Sequence, residues 1–241
     1  MADLRVPSVQ HLARNWREDS KKIANALVQL VLNPPQFNYN PLYGAIRDLL
    51  ILHVPYDQII DGIGRIKREE VRNNLLSVMP LVRSHFSGIS PDFYQTVEKR
   101  FYPVGRGLMV PFEPPMIYGV SGQLYFPWFS FWRTNPIAKE RLSLFVTLVD
   151  EVLMQDPDLE SARFEILDFS CERGNASRTL KVIDAREIPR LAEKRKLEML
   201  EVFAEGYFIA LEELAGRSRP GQGAQPGKAP EADPRQPGLF D

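Results

Sequence analysis

Eight consecutive residues, Tyr125 to Trp132 (YFPWFSFW), carry six aromatic rings. Successive side chains of an extended strand point to opposite faces, so both faces of this segment are apolar. Such a strand is typical of the covered centre of a sheet, and we predict that it belongs to the core. A base-stacking platform and a dimer surface are the alternatives. Pro127 has no N–H to donate, which favours an edge position or a bulge and keeps the interface alternative open.

Around this strand the pattern predicts an α+β protein. The N-terminal part is helical, and an α-β-β-β-α-β-β-α core and a disordered C-terminal tail follow it. Three units are expected: a helical part over 1–102, an α+β domain over 103–215, and a disordered tail over 216–241 that ends in a binding motif. The periodicity places helices at 8–31, 41–50, 55–86, 91–101, 136–155 and 189–214, and strands at 108–110, 116–120, 123–132, 163–169 and 179–183.

Composition narrows the class of protein. No run of about 18 uncharged apolar residues exists, which excludes a membrane span. No apolar segment follows the first residues, so we expect no secretory signal and a cytoplasmic location. Cys171 is the only cysteine, and His11, His53 and His85 are well separated, which disfavours a four-ligand zinc site. We expect no cofactor.

The element order over residues 91–170 resembles the core of the PD-(D/E)XK nuclease-like fold. That resemblance implies an Asp on the second strand and an acidic-x-Lys pair on the third, which together would hold Mg²⁺. Ile117 and Tyr118 stand where the Asp would be, and the third strand has no carboxylate. Glu113 is close but precedes Pro114-Pro115. We therefore expect the nuclease metal residues to be missing and the protein to be non-catalytic.

Two further carboxylates, Glu165 and Asp168, lie on one predicted strand. Their odd spacing places them on opposite faces, which disfavours shared acid–base chemistry. We expect each to pair with a neighbouring Arg or Lys.

Residues 60–71 (IDGIGRIKREEV) resemble the helix-hairpin-helix DNA-binding motif. In that motif a Gly-hydrophobic-Gly turn lets backbone N–H groups at a helix start approach a phosphate. The resemblance implies DNA-binding roles for Gly62, Ile63, Gly64, Arg65, Lys67 and Arg68, although Arg68 replaces the usual small residue. Residues 1–106 carry 14 Lys or Arg and 10 Asp or Glu, a mild excess that suits a phosphate-facing surface. One continuous helix that tolerates two glycines is the alternative.

The last residues, Gln236-Pro237-Gly238-Leu239-Phe240, resemble the bacterial sliding-clamp-binding peptide Q-x-x-L-F. Residues 216–241 contain five Pro and five Gly, a composition that cannot fold alone. In the resembling peptides Leu and Phe enter an apolar pocket and Gln hydrogen-bonds at its rim, which implies these roles for Leu239, Phe240 and Gln236. Pro237 and Gly238 depart from the usual residues. A tail with two stray hydrophobic residues is the alternative.

These observations predict a non-catalytic accessory protein of bacterial DNA replication, repair or mobile-element maintenance. Its expected partners are a sliding clamp, bound through the tail, and the DNA backbone. One alternative is a self-associating protein without a nucleic-acid role. Another is an enzyme whose site is assembled from distant segments.

Overall fold

A computed structural model describes residues 4–35, 38–153, 155–172 and 177–217. The helices are α1 Val9–Asn15, α2 Ser20–Leu32, α3 Asn40–Leu50, α4 Tyr56–Gly64, α5 Glu69–Phe86, α6 Glu140–Leu153 and α7 Glu193–Arg217. The strands are β1 Phe93–Gln95, β2 Arg100–Gly105, β3 Leu108–Phe112, β4 Ile117–Val120, β5 Gln123–Ser130, β6 Arg163–Asp168 and β7 Lys181–Asp184. The predicted α+β class, with helices first and a sheet core after them, is confirmed.

Five strands form the main sheet in the order β1-β4-β5-β6-β7. The pair β5–β6 is parallel, with α6 in the connection between them, and the other three pairs are antiparallel. Strands β2 and β3 form a separate antiparallel hairpin between β1 and β4 in the chain. The aromatic strand β5 is therefore the middle strand of the sheet, as its two apolar faces predict.

Pro127 lies in this middle strand rather than at an edge. The ladder between β4 and β5 runs only from Val120–Gln123 to Tyr118–Tyr125. Pro127 lies past its end and pairs in register only with Glu165 of β6. Its missing N–H therefore removes no hydrogen bond to β4, which explains why a central strand accepts it.

Helices cover both faces of the sheet. On one face α3, α4 and α5 pack over residues such as Tyr118, Phe129 and Leu167. On the other face α1, α2, α6, α7 and the β2–β3 hairpin pack over residues such as Phe126 and Ile166. The boundary predicted at residue 103 falls inside β2, and the N-terminal helices share both cores with the sheet.

Three predicted helices differ from the structure. The helix expected over 91–101 is replaced by β1 and the start of β2. The helix expected over 8–31 is broken after Asn15, and α2 starts anew where Asp19 accepts hydrogen bonds from the N–H groups of Lys21 and Lys22. The continuous helix over 55–86 is also wrong, because a turn at residues 65–68 separates α4 from α5.

None of the helices within the described ranges is long and apolar enough to cross a membrane. The residues of the predicted tail beyond Arg217 lie outside the described part of the chain.

Candidate nucleic-acid interface

The turn between α4 and α5 carries the basic residues that the sequence analysis selected. Helix α4 ends at Gly64, where the N–H of Arg65 donates to the Gly62 carbonyl oxygen at 3.3 Å and the N–H of Ile66 donates to the Ile63 carbonyl oxygen at 3.0 Å. Arg72 of α5 donates from Nη1 to the Ile66 carbonyl oxygen at 3.0 Å. This hydrogen bond links the turn to the first turn of α5 and so holds the backbone of the basic segment in place.

The glycines do not form the phosphate-binding hairpin that the resemblance implies. Gly62, Ile63 and Gly64 form the last turn of α4, and Ile63 is buried among the residues beneath α3–α5. A Cβ added to either glycine would meet no atom within 4 Å, so neither serves a close contact with another described part of the protein. Because Glu69 and Glu70 occupy the first turn of α5, that helix start also repels a phosphate. The hairpin geometry predicted for the three residues is therefore absent, and their contact with DNA stays a prediction.

The basic side chains of the turn remain accessible. Arg65, Lys67 and Arg68 are all exposed. Among the ion pairs of the described residues, Arg68 lies 3.7 Å from Glu70, and neither Arg65 nor Lys67 takes part in one. The turn can therefore offer at least two uncompensated cations to a polyanion, through side chains rather than backbone N–H groups.

Arg178 connects α5 to the edge of the sheet where the parallel strands β5 and β6 end. Its Nη1 donates to the carbonyl oxygens of Phe131 at 3.1 Å and Phe169 at 2.7 Å. Its Nη2 donates to Asn74 Oδ1 at 2.5 Å, and its Nε donates to Ser77 Oγ at 3.1 Å. The role of Arg178 has no local signal in the sequence, because its partners lie up to 104 positions away in the chain.

The positions that correspond to the nuclease metal residues are apolar and buried. Ile117 and Tyr118 lie in the two cores on opposite sides of the sheet. Trp128 packs with its ring centroid 4.6 Å from that of Phe145. Glu113 is exposed and forms an ion pair at 3.3 Å with Lys99. Within the described ranges, no group of three or more His, Cys, Asp or Glu side chains could hold a metal ion.

Glu165 and Asp168 do not share a site. Glu165 forms an ion pair at 3.1 Å with Arg163, as expected. Burial raises the pKa of Glu165, and the Arg163 charge opposes that shift. Asp168 instead accepts from Asn135 Nδ2 at 2.7 Å and from the Ser170 N–H at 3.1 Å. The predicted Arg or Lys partner of Asp168 is therefore wrong, because an amide and a backbone N–H satisfy this buried carboxylate.

The proposed clamp-binding residues Gln236, Leu239 and Phe240 lie outside the described residues. Comparison with known protein families finds none whose model matches this chain. No curated protein matches it in sequence either.

Proposed function

We propose that the protein is a non-catalytic accessory factor of bacterial DNA replication, repair or mobile-element maintenance. Its C-terminal peptide binds a sliding clamp, and the basic α4–α5 turn contacts the DNA backbone. The observation that carries this proposal is the pentapeptide Gln236 to Phe240 at the end of a Gly- and Pro-rich segment.

The number of residues between α7 and this peptide suits a tether between a clamp and the DNA that it encircles. Helix α7 ends at Arg217, and 18 residues precede Gln236. Their Gly- and Pro-rich composition predicts a flexible chain, and a flexible chain of that length spans roughly 25 Å from end to end. A clamp encircles DNA, so a tether of this reach would let the folded part contact the duplex while the peptide stays bound.

We expect a peptide of residues 231–241 to bind a purified bacterial sliding clamp with a Kd of about 1 µM, or about −8 kcal/mol. Burial of Leu239 and Phe240 supplies ~3–6 kcal/mol of that free energy, and hydrogen bonds to Gln236 and the backbone supply the rest. Changing both hydrophobic residues to Ala should abolish binding in a fluorescence anisotropy titration.

The matched control for the clamp titration changes Pro234 and Arg235, which lie just before the motif, to Ala. This control peptide should bind like the original sequence. Two outcomes would contradict the proposal. One is equal binding of the original peptide and the Leu239/Phe240 double variant. The other is no binding of the original peptide at about 100 µM clamp, 100-fold above the expected Kd.

The DNA contact predicts weak binding that does not depend on sequence. Changing Arg65 and Lys67 to Glu should weaken binding to every duplex alike, since phosphate contacts carry no sequence information. The slope of log K against log salt should become shallower by about 1.8, because each lost phosphate contact removes roughly 0.9. The measurement is anisotropy of labelled duplexes over a salt series.

A control with the same change in net charge replaces Lys99 and Arg186 by Glu. Both residues are exposed, and each already has one acidic partner, Glu113 and Asp184 respectively. Affinity that falls as much in this control as in the Arg65/Lys67 variant would show a general charge effect instead of a contact at the turn.

A self-associating protein without a nucleic-acid role is the second candidate, and the outer face of the β2–β3 hairpin favours it. Phe101 and Met109 are 51% and 45% exposed there. They lie beside Pro111 and Pro103, their respective partners in the ladder. An apolar strip of this kind suits a second copy of the chain. The DNA titration separates the two functions, since this candidate predicts no binding even at low salt.

A further inference from the structure

The side chains of Arg17 and Arg141 converge on the carbonyl oxygen of a third arginine, Arg14, at the C-terminal end of α1. Arg17 Nη1 donates to the carbonyl oxygen of Arg14 at 2.9 Å, and Arg141 Nη1 donates to the same oxygen at 3.2 Å. Those two nitrogens therefore lie within about 6 Å of each other, the sum of the two distances. The guanidinium of Arg14 lies 5.3 Å from the ring centroid of Trp132. This group of Arg14, Arg17 and Arg141 is called the arginine cluster below.

The arginine cluster lies at the edge of the sheet where β5 and β6 end. Trp132 lies two residues after the end of β5, and Arg141 belongs to the first turn of α6, the helix that connects β5 to β6. Ligands of sheets with parallel strands bind outside the carboxyl ends of those strands, where helix N-termini meet. The cluster therefore occupies a favourable place for an anion, beside the positive end of the 14-residue helix α6.

The positive charge of the cluster is not neutralised within the described part of the chain. No carboxylate there lies within 4 Å of Arg14, Arg17 or Arg141. The nearest acidic neighbour in sequence, Glu140, is held by Arg195, whose Nε and Nη2 donate to its two oxygens at 2.7 Å and 3.0 Å.

The pKa values of Arg14 and Arg141 show the same excess of positive charge. Burial and the charge of Arg17 lower the pKa of Arg14, although Tyr39 opposes that shift. Burial and the charge of Arg17 also lower the pKa of Arg141. Because a guanidinium stays charged in proteins, the repulsion that Arg17 exerts on Arg14 and on Arg141 persists in the folded protein. His11 adds no charge, since burial and then Arg14 lower its pKa to about 4.

A second arginine–tryptophan contact, between Arg195 and Trp16, allows a comparison with an arginine that has acidic partners. Arg195 lies 5.5 Å from the ring centroid of Trp16, much as Arg14 lies over Trp132. Arg195, however, has Glu140 and Glu198 as ion-pair partners. Hydrogen bonding to Glu140 raises the pKa of Arg195, against the lowering seen in the cluster. An arginine that lies over a tryptophan can therefore also have acidic partners, so the contact with Trp132 does not explain why Arg14 has none among the described residues.

Capping of α1 explains only part of the arrangement. The last carbonyl groups of a helix accept from nearby arginines, and Arg17 also donates to the Trp16 carbonyl oxygen at 2.7 Å. Arg17 alone already donates to two carbonyl oxygens at this helix end, those of Arg14 and Trp16. A second guanidinium on the Arg14 oxygen and a third close by add repulsion that an anion would relieve.

We infer that Arg14, Arg17 and Arg141 form a binding site for a phosphate group. Guanidinium groups present paired N–H donors that match the oxygens of phosphate. The phosphate could belong to the DNA backbone or to a small phosphorylated compound. The inference rests on these arginines alone and does not require the tail or the α4–α5 turn to function as proposed.

The test is thermal unfolding of the full chain in inorganic phosphate and in chloride of equal ionic strength. At phosphate ten times its Kd, linkage should raise the Tm by about 3–5 °C. The double variant Arg17→Gln/Arg141→Gln should lose this rise. The control Arg186→Gln, an exposed arginine that pairs with Asp184, should keep it. The single variant Arg17→Lys retains the charge without the paired donors and should keep less than half of the rise.

Absence of a phosphate-dependent rise in the original protein would overturn the inference, as would a full rise in the double variant. In the second case the arginines only cap α1. A DNA titration then identifies the source of the phosphate. If the site takes the DNA backbone, the double variant should lose about 1.8 from the salt slope. If the slope stays unchanged while the phosphate-dependent rise is lost, the site takes a small phosphorylated compound.

Discussion

Replacing Trp128 with Ala should lower the free energy of unfolding by about 3–5 kcal/mol. Trp128 is 5% exposed in the middle strand of the sheet. Its ring centroid lies 4.6 Å from that of Phe145 in α6 and 5.6 Å from that of Trp132. Its register partner Ile166 is fully buried, so the surroundings have little freedom to close the space that the ring leaves. Urea unfolding followed by circular dichroism measures the loss.

Phe93 provides the matched control for Trp128. It is also an aromatic residue of the main sheet, but it lies in the edge strand β1 and is 43% exposed. Phe93→Ala should change stability by less than about 1 kcal/mol. A Trp128→Ala protein that keeps its melting temperature and loses self-association would instead assign the ring to an interface between copies.

The position of β5 was predictable because its signal is local. Alternating side chains that are aromatic on both faces specify a covered strand whatever the rest of the chain does. The helix break at residues 65–68 also had a local signal, since glycine close to a helix C-terminus is a common stop. Gly64 is the last residue of α4, so this signal lies where the helix ends.

The segment 91–101 was not predictable in the same way. Phe93, Val97 and Phe101 recur every four residues, which indicates one face of a helix. In the structure Phe93 and Phe101 are exposed, and Phe93 pairs in register with Gly119 of β4. This pairing partner lies 26 positions away, so the strand depends on a contact that no local pattern contains.

The arginine cluster and the contacts of Arg178 could not be predicted from local sequence for the same reason. Arg14 and Arg17 are close in sequence, but Arg141 reaches the Arg14 carbonyl oxygen across 127 positions. Only the fold, which places the end of α1 beside the start of α6, brings the three charges together. The exposure of Arg65 and Lys67, in contrast, needs no distant partner, because the turn that carries them joins two helices that are consecutive in the chain.

Gly206→Ala should destabilise the protein by about 2 kcal/mol, although alanine favours a helix by ~1 kcal/mol over glycine. A Cβ at Gly206 in α7 would lie 2.7 Å from the Cβ of Ile23 and 2.7 Å from the carbonyl oxygen of Ser20, both in α2. Ile23 is fully buried and the Ser20 atom belongs to the backbone, so neither can move aside without shifting α2. Overpacking of this kind costs roughly 1–3 kcal/mol and occasionally more.

Gly44→Ala separates this contact from the general effect of a glycine in a helix. Gly44 lies inside α3, and a Cβ there would meet nothing within 4 Å. Only the helix preference then acts, and the variant should gain up to ~1 kcal/mol. Opposite signs for the two variants in urea unfolding would establish that α2 lies directly against α7. If both variants gain stability, α2 does not make this close approach, and the shared core of the N-terminal helices and the sheet would need revision.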